Sequence, residues 1–537
     1  MTATNTGRTI AMNRLLHLAL GAAAWAFLGV AQAAAPGITG PTFNLTAQPA
    51  YLSQPDGQSV YSWGYGCNGA PAGFAPALST TAFCNTMQVP GPTLIVTQGQ
   101  TVTVNLTNGL PTAAGNTSIL FPGFNVTATG GAAGLLTREA APGGSVTYSF
   151  VATTPGTRAY YSGTQSDLQI EMGLFGAIIV LPSTIPTSCT TGIASQNLAA
   201  QAHWGETDFR LAKAAYNNDH ACYDREYLFQ FSEMDPNIHN QALAQVNAIA
   251  ACVAAGRANC PTTLNVPTEP YHPAYFMING RSMPDDMDSN YAAQYPHQPY
   301  NGNPHMHPGE LTLLRIIGQG RWQHPFHEHG NHVRILARDG NLIVSQSDAT
   351  QLAGPLLFTT TTTPGLAMDG IFYYTGKGLN WDLYGHHPAP SPIPPGADAN
   401  AWLPCTPDAN GYNTGDPTAI NYFEWCQDHN KPVQVHPFGD VAAGGPVTLP
   451  DPNLFTNGPW YGGSPYLGPD ATGRAVGPTG TTPPSGTIAN SPTGEAGFAF
   501  MWHSHNEREI TTNNIFPGGM LMMMLVDSRE FVIDESM

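Results

Sequence analysis

The sequence predicts an all-β protein made of two β-sandwich domains, the second carrying a long Pro/Gly-rich insertion. Three observations carry that expectation. Only 10% of the 537 residues are charged, while glycine numbers 58 and proline 48, a balance that suits loop-rich β-domains better than helical bundles or disorder. Short runs of β-branched and aromatic residues alternate with polar ones and are bounded by Gly, Asn and Pro. The runs also fall into two series, and the chain exceeds what one hydrophobic core usually supports.

In chain order, residues 1–33 read as a secretory signal peptide. Arg8 and Arg14 precede an apolar run over 15–30, and Ala31-Gln32-Ala33 stands just before Pro36, the three-part layout of a cleaved leader. No later apolar run approaches the roughly 20 residues that cross a bilayer. The expectation is an exported protein, periplasmic or extracellular, with no membrane span. The first sandwich is expected over 36–185, on "PGPTLIVTQGQTVTVNLTNGLP", "GSVTYSFVATTPGTRAYYSG" and "GLFGAIIVLP". The last of these is apolar enough to be buried on both faces.

The second is expected over 200–537, beginning at "EYLFQFSEMD" and running through "AYFMINGRSMP", "GELTLLRIIGQG", "HVRILARDG" and "GIFYYTG". One segment, "HNQALAQVNAIAACVAAG", has helical apolar spacing, ends at Gly256 and reads as a short surface helix tied down by Cys252. Residues 388–495 are rich in Pro, Gly, Asn and Asp and read as an irregular excursion. The β-pattern returns in "AGFAFMWHSHNERE" and closes in "GGMLMMMLV".

The formal charge of −18 repels phosphate backbones and argues against a nucleic-acid partner. The eight cysteines form close sequential pairs: Cys67 with Cys84, Cys189 with Cys222, Cys252 with Cys260, and Cys405 with Cys426. In an exported chain an even count reads as disulfides, here four, paired on proximity alone. The competing use, a thiolate metal site, lacks any C-x-x-C spacing.

The stretch "HPFHEHGNH" holds four histidines in nine residues. On an extended strand side chains alternate faces, so His327 and His329 point one way and Glu328 the other. His503 and His505 in "HSH" behave alike. Two such strands side by side offer four converging imidazoles, enough for one Cu(II) or Zn(II) or a loosely bound copper pair. His324 is a fifth candidate ligand. Glu328, Glu507 and Glu509 are candidate supporting or added ligands. "HMH" over 305–307 and "HH" over 386–387 lie in loop-like sequence and read as solvated surface.

"PGPTLIVTQGQTVTVNLTN", "GTRAYYSG" with "GLFGAIIV", "HPFHEHG" and "WHSHNERE" with "PGGM" resemble, in order and spacing, the four landmark regions of multicopper oxidases, the laccase-like cupredoxin proteins. The resemblance implies two cupredoxin-like Greek-key sandwiches and copper as cofactor. It implies a small reducing substrate and oxygen as reactants, because active members oxidise a donor at a type 1 copper and reduce oxygen at a trinuclear cluster. It makes His324 a type 1 position, and His327, His329, His503 and His505 cluster positions.

The departures are as informative. Ser504 stands where the family has the type 1 cysteine, and a hydroxyl is too hard and too weakly basic to replace a thiolate on copper. Glu509 stands where a second type 1 histidine is usual. Met520 follows Gly519 as the family's axial methionine follows glycine, but it is displaced and reads as core packing. Between His17 and His203 there is no histidine at all, so the first domain cannot supply its half of the cluster, and exchanging domains between identical copies does not repair the deficit. Three functions stay open at this point: a copper oxidoreductase with an incomplete ligand set, a non-catalytic metal-binding scaffold, or a subunit that completes a trinuclear centre with a histidine-bearing cupredoxin partner chain.

Overall fold

The computed structural model describes residues 35–75, 84–377, 405–427, 463–467, 488–489, 497–529 and 531–534. The expected leader over 1–33 and the pair His386 and His387 lie outside the described residues. The fold is mostly β, as the sequence predicts, in paired sheets.

Two five-stranded sheets form the first sandwich. One runs in the order Gly156–Tyr161, Phe175–Leu181, Gly91–Thr97, Gly37–Thr39, Phe74–Ala75; the other runs Ser59–Cys67, Thr42–Ser53, Thr101–Asn108, Ser145–Val151, Thr127–Gly130. The alternation in "TVTVNLTN" sends Val102, Val104 and Leu106 into the core opposite Phe43, Leu45, Tyr148 and Phe150, all buried. Strand Phe175–Leu181 is buried on both faces for a visible reason. Ile178 and Val180 point into that core, while Ala177 and Ile179 pack on Leu228, Ile317 and Ala367 of the second sandwich.

The second sandwich pairs a sheet ordered Tyr275–Ile278, Arg225–Met234, Leu311–Gly318, Ala367–Tyr373, Val333–Arg338, Asn341–Leu342 with one ordered His305–Met306, Leu521–Asp527, Gly497–Ser504, His324–Glu328, Thr359–Thr362. Between them lies a core of Phe229, Phe231, Phe326, Phe372, Phe500, Trp502, Met520, Met522 and Met524. Met520 is therefore core, as expected.

Three expectations change. The helix spans Pro236–Ala254, capped by Asp235, whose side chain accepts from Asn237 N. Its first turns are not surface: Ile238 and Ala242 belong to the first sandwich's core, and His239 Nδ1 lies 2.6 Å from Tyr61 O. A pattern of small apolar residues with few large ones looks superficial in sequence but seats well against a sheet. Residues 305–307 are not solvated loop either. His305–Met306 pairs with Leu521–Asp527, and His307 is buried. The excursion over 388–495 is not wholly irregular: Gly463–Leu467 pairs antiparallel with Gly497–Ser504, and Tyr422 and Phe423 are buried. All four disulfides join the cysteine pairs expected from proximity.

Candidate metal centre

Strand register builds the site. His324–Glu328 runs antiparallel to Gly497–Ser504 with His327 directly opposite His503 and Phe326 opposite Ser504. On its other side His327 faces Thr359. Directly opposed residues share a face, and residues two positions along sit diagonally within reach of long side chains. His329 therefore approaches His503, and His505 approaches His327, on the outer face of the sheet. Phe326, Glu328, Trp502 and Ser504 turn to the buried face.

The rings gather as that register requires. Centroid separations are 4.7 Å for His327–His329, 5.5 Å for His327–His503, 5.0 Å for His329–His503 and 4.7 Å for His327–His505. One candidate ligand nitrogen from each of His327, His329 and His503 lies within 4.8 Å of the others. His505 stands beside this trio, exposed, its ring 5.7 Å from that of His503. His503 Nε2 and His329 Nε2 are 3.2 Å apart, close to the roughly 3 Å between two nitrogens bound at about 2.0–2.1 Å to one ion.

The protonation pattern suits ligation. His503 Nδ1 lies 2.7 Å from the Ser504 carbonyl, which can only accept, so the proton sits on Nδ1 and the Nε2 lone pair faces His329. His327 Nδ1 lies 2.6 Å from Thr359 Oγ1. Burial, followed by repulsion from His329, His503 and His505, pushes the His327 pKa down to about 4. Burial lowers that of His503 as well. His327 and His503 are therefore neutral at neutral pH, the form in which imidazole binds metal.

His324 does not join them. Three residues before His327, it falls on the opposite face by strand alternation. Its Nε2 lies 2.8 Å from Glu233 Oε2 and its Nδ1 2.9 Å from Glu509 Oε2, all three side chains buried. Burial pulls its pKa down, but the hydrogen bonds and charges of Glu233 and Glu509 outweigh that and raise it to about 9. With a carboxylate beside each ring nitrogen, His324 is held protonated and apart from the other four rings. Ser504 Oγ donates to Glu509 Oε2, so the serine and glutamate that replace the family's thiolate and second imidazole belong to one ion-pair network. Glu328 also points into the core, where burial drives its pKa well up. Of the three carboxylates the sequence suggested, only Glu507 lies on the exposed side.

Thr359 and Glu233 escaped the sequence reading, because strand partners are not written in local pattern. A second histidine–carboxylate group, Glu206, His307 and Glu310, is buried. It is neutralised by Arg225, which pairs with both glutamates, and by Arg529 at 3.7 Å from Glu310, a charge set that disfavours a cation.

Residues 74–184 match the family model described as multicopper oxidase. Over this segment, about a fifth of its length, the chain is similar to multicopper oxidases. Copper is the metal that the matched family implies, without a number of ions. Solved structures similar to it include the multicopper oxidase mgLAC, at 14% identity over 92% of this chain and 87% of that one with a TM-score of 0.43. A blue copper oxidase from Nitrosomonas europaea is 15% identical over 90% and 85% with a TM-score of 0.42, and a copper nitrite reductase from the same organism is 16% identical over 63% and 85% with a TM-score of 0.35. No curated protein matches the chain by sequence.

Proposed function

We propose that this chain is an exported copper protein of the multicopper oxidase family that binds copper through His327, His329 and His503, with His505 adjacent, and works as an oxidoreductase with a reduced ligand set. The observation that carries the reading is the trio of imidazole nitrogens within 4.8 Å on two adjacent strands. Borderline metals of the copper and zinc type favour such a donor set, and the family favours copper. Bound there, copper would supply one-electron chemistry and a place for oxygen or water.

The protein's own residues do the rest. Thr359 and the Ser504 carbonyl fix ring orientation, and the exposed position of His505 leaves the centre open to a small reactant. The absence of histidine from the first domain and, among the described residues, the ion pairs on His324 support a ligand set reduced from the family's. The four disulfides support an oxidising, exported setting, and among the described residues no helix is long and apolar enough to cross a membrane.

Oxygen uptake by the copper-loaded protein with phenolic, aromatic amine and metal-ion donors tests the reading. Uptake abolished by His329→Ala is the expected result. Full copper content with no uptake for any donor would instead identify a metal-binding scaffold. A second reading is favoured by the outward face of the cluster: a histidine-bearing cupredoxin partner docking there to complete a centre. Copper stoichiometry that rises only on adding such a partner would select it.

A further inference from the structure

A line of redox-active and proton-accepting side chains leads from the surface towards the histidine strands. It begins at Trp322, 37% exposed, whose ring stands edge-on to that of Tyr271 at 5.5 Å. Tyr271 is buried, and its hydroxyl lies 2.6 Å from Glu171 Oε2 and 3.3 Å from Glu233 Oε1. Glu233 continues to His324 at 2.8 Å, His324 to Glu509 at 2.9 Å, and Glu509 to the Ser504 hydroxyl. Ser504 is the residue between His503 and His505.

We propose that Tyr271 is a one-electron relay that joins a small aromatic donor at the Trp322 surface to the copper histidines. The proposal rests on the copper reading above.

The surroundings of Tyr271 suit that task. Burial, followed by the charges of Glu171 and Glu233, pushes its hydroxyl well above the usual range, so it is a phenol at working pH. The Arg321 guanidinium lies 4.1 Å over its ring and penalises a second positive charge there. The electron must therefore leave together with the phenolic proton, and Glu171 is placed to take that proton. Glu171 is itself held by Asp235 N at 2.6 Å.

The balance is simple. Tyr271 gives one electron to the acceptor, copper(II) at the histidine strands, while its O–H bond breaks and an O–H bond forms on Glu171. A phenol or aromatic amine at Trp322 then gives one electron, releasing its own proton to solvent, and Glu171 returns the first proton to restore the phenol. Net, one electron passes from donor to acceptor and the relay is unchanged.

The test separates relay from copper site. Metal-free protein is treated with a photogenerated outer-sphere one-electron oxidant and the radical is followed by electron paramagnetic resonance in wild type, Tyr271→Phe and Trp322→Leu, with copper content measured on the same preparations. The expected result is a tyrosyl signal whose main component vanishes in Tyr271→Phe. In copper-loaded protein, reduction by a phenolic donor should slow about tenfold in both variants at unchanged copper content. Trp322→Leu, at a half-exposed position, guards against a folding failure of the buried variant. A radical signal and a reduction rate equal to wild type in both variants would overturn the relay. Failure of wild type to bind copper would overturn the metal reading and with it the relay's acceptor, while the radical experiment, which does not need the metal, would still show whether Tyr271 is the oxidised residue.

Discussion

The two sandwiches have the same two-layer architecture and treat their polar positions in opposite ways. In the first, which has no histidine between residues 36 and 185, hydroxyls and amides satisfy one another. Ser118 Oγ lies 2.8 Å from Thr164 Oγ1, which donates to Glu139, while Thr117 and Ser162 both donate to Gln169 Oε1. Gly163 leaves no room for a larger residue, since a Cβ there would lie 2.8 Å from Leu120. In the second sandwich, His327, His329 and His503 face one another on the side of the sheet away from its core, His327 buried and the other two half-buried. The same fold can thus be closed by internal hydrogen bonding or gather imidazoles on one face, and the copper reading rests on the latter.

The largest effect that would break this contrast is on copper. Changing His327, His329 and His503 together to alanine should lower copper affinity at least about a hundredfold, consistent with loss of the whole donor set and exceeding the roughly 10–100-fold attached to supporting residues. The fold should survive, because all three rings lie outside the aromatic and methionine core between the sheets. Metal analysis after dialysis and circular dichroism check both parts.

Next comes the ion-paired histidine behind that face. Glu233→Ala strips a buried imidazolium of one carboxylate and should destabilise the protein by about 3–5 kcal/mol, the usual cost of orphaning one member of a buried pair. Denaturant unfolding of the apoprotein measures it. A loss below about 1 kcal/mol would mean that His324 is not charged in the fold.

The same residue gives the contrast a pH signature. His324 is raised from its ordinary 6.5 to about 9 in the folded chain, so between those values the folded state holds a proton that the unfolded state does not. Its stabilising contribution is fully present below pH 6.5 and is lost as pH rises through about 9. Apoprotein unfolding midpoints should fall over that window, and His324→Gln should flatten the fall. The smallest expected effect lies in the first sandwich. Ser118→Ala should cost about 1 kcal/mol, one buried hydrogen-bonding group, and leave copper content unchanged. Copper lost with Ser118 would blur the distinction between the two halves.

Much of this was legible in the sequence because it rests on alternation. "TVTVNLTN" declares its inward valines, and H-x-H declares a shared face for His327 with His329 and for His503 with His505. The same rule, applied across three residues, places His324 on the far face, where family resemblance alone had drawn it towards copper. What stayed hidden depends on contacts distant in the chain. Glu233 is 91 residues from the imidazole it charges, and Thr359 is 32 residues from the ring it orients. Buried His307 looked like loop because its burial comes from Glu206 and the Asp527 carbonyl, not from a periodic run of its own.

X-ray absorption at the copper edge of the loaded protein tests the copper assignment most directly. The account predicts a first shell of imidazole nitrogens at about 2.0 Å with no sulfur, since all eight cysteines are paired in disulfides, and loss of that shell in the triple alanine variant. A short copper–sulfur distance, or an imidazole shell that persists in the variant, would contradict it.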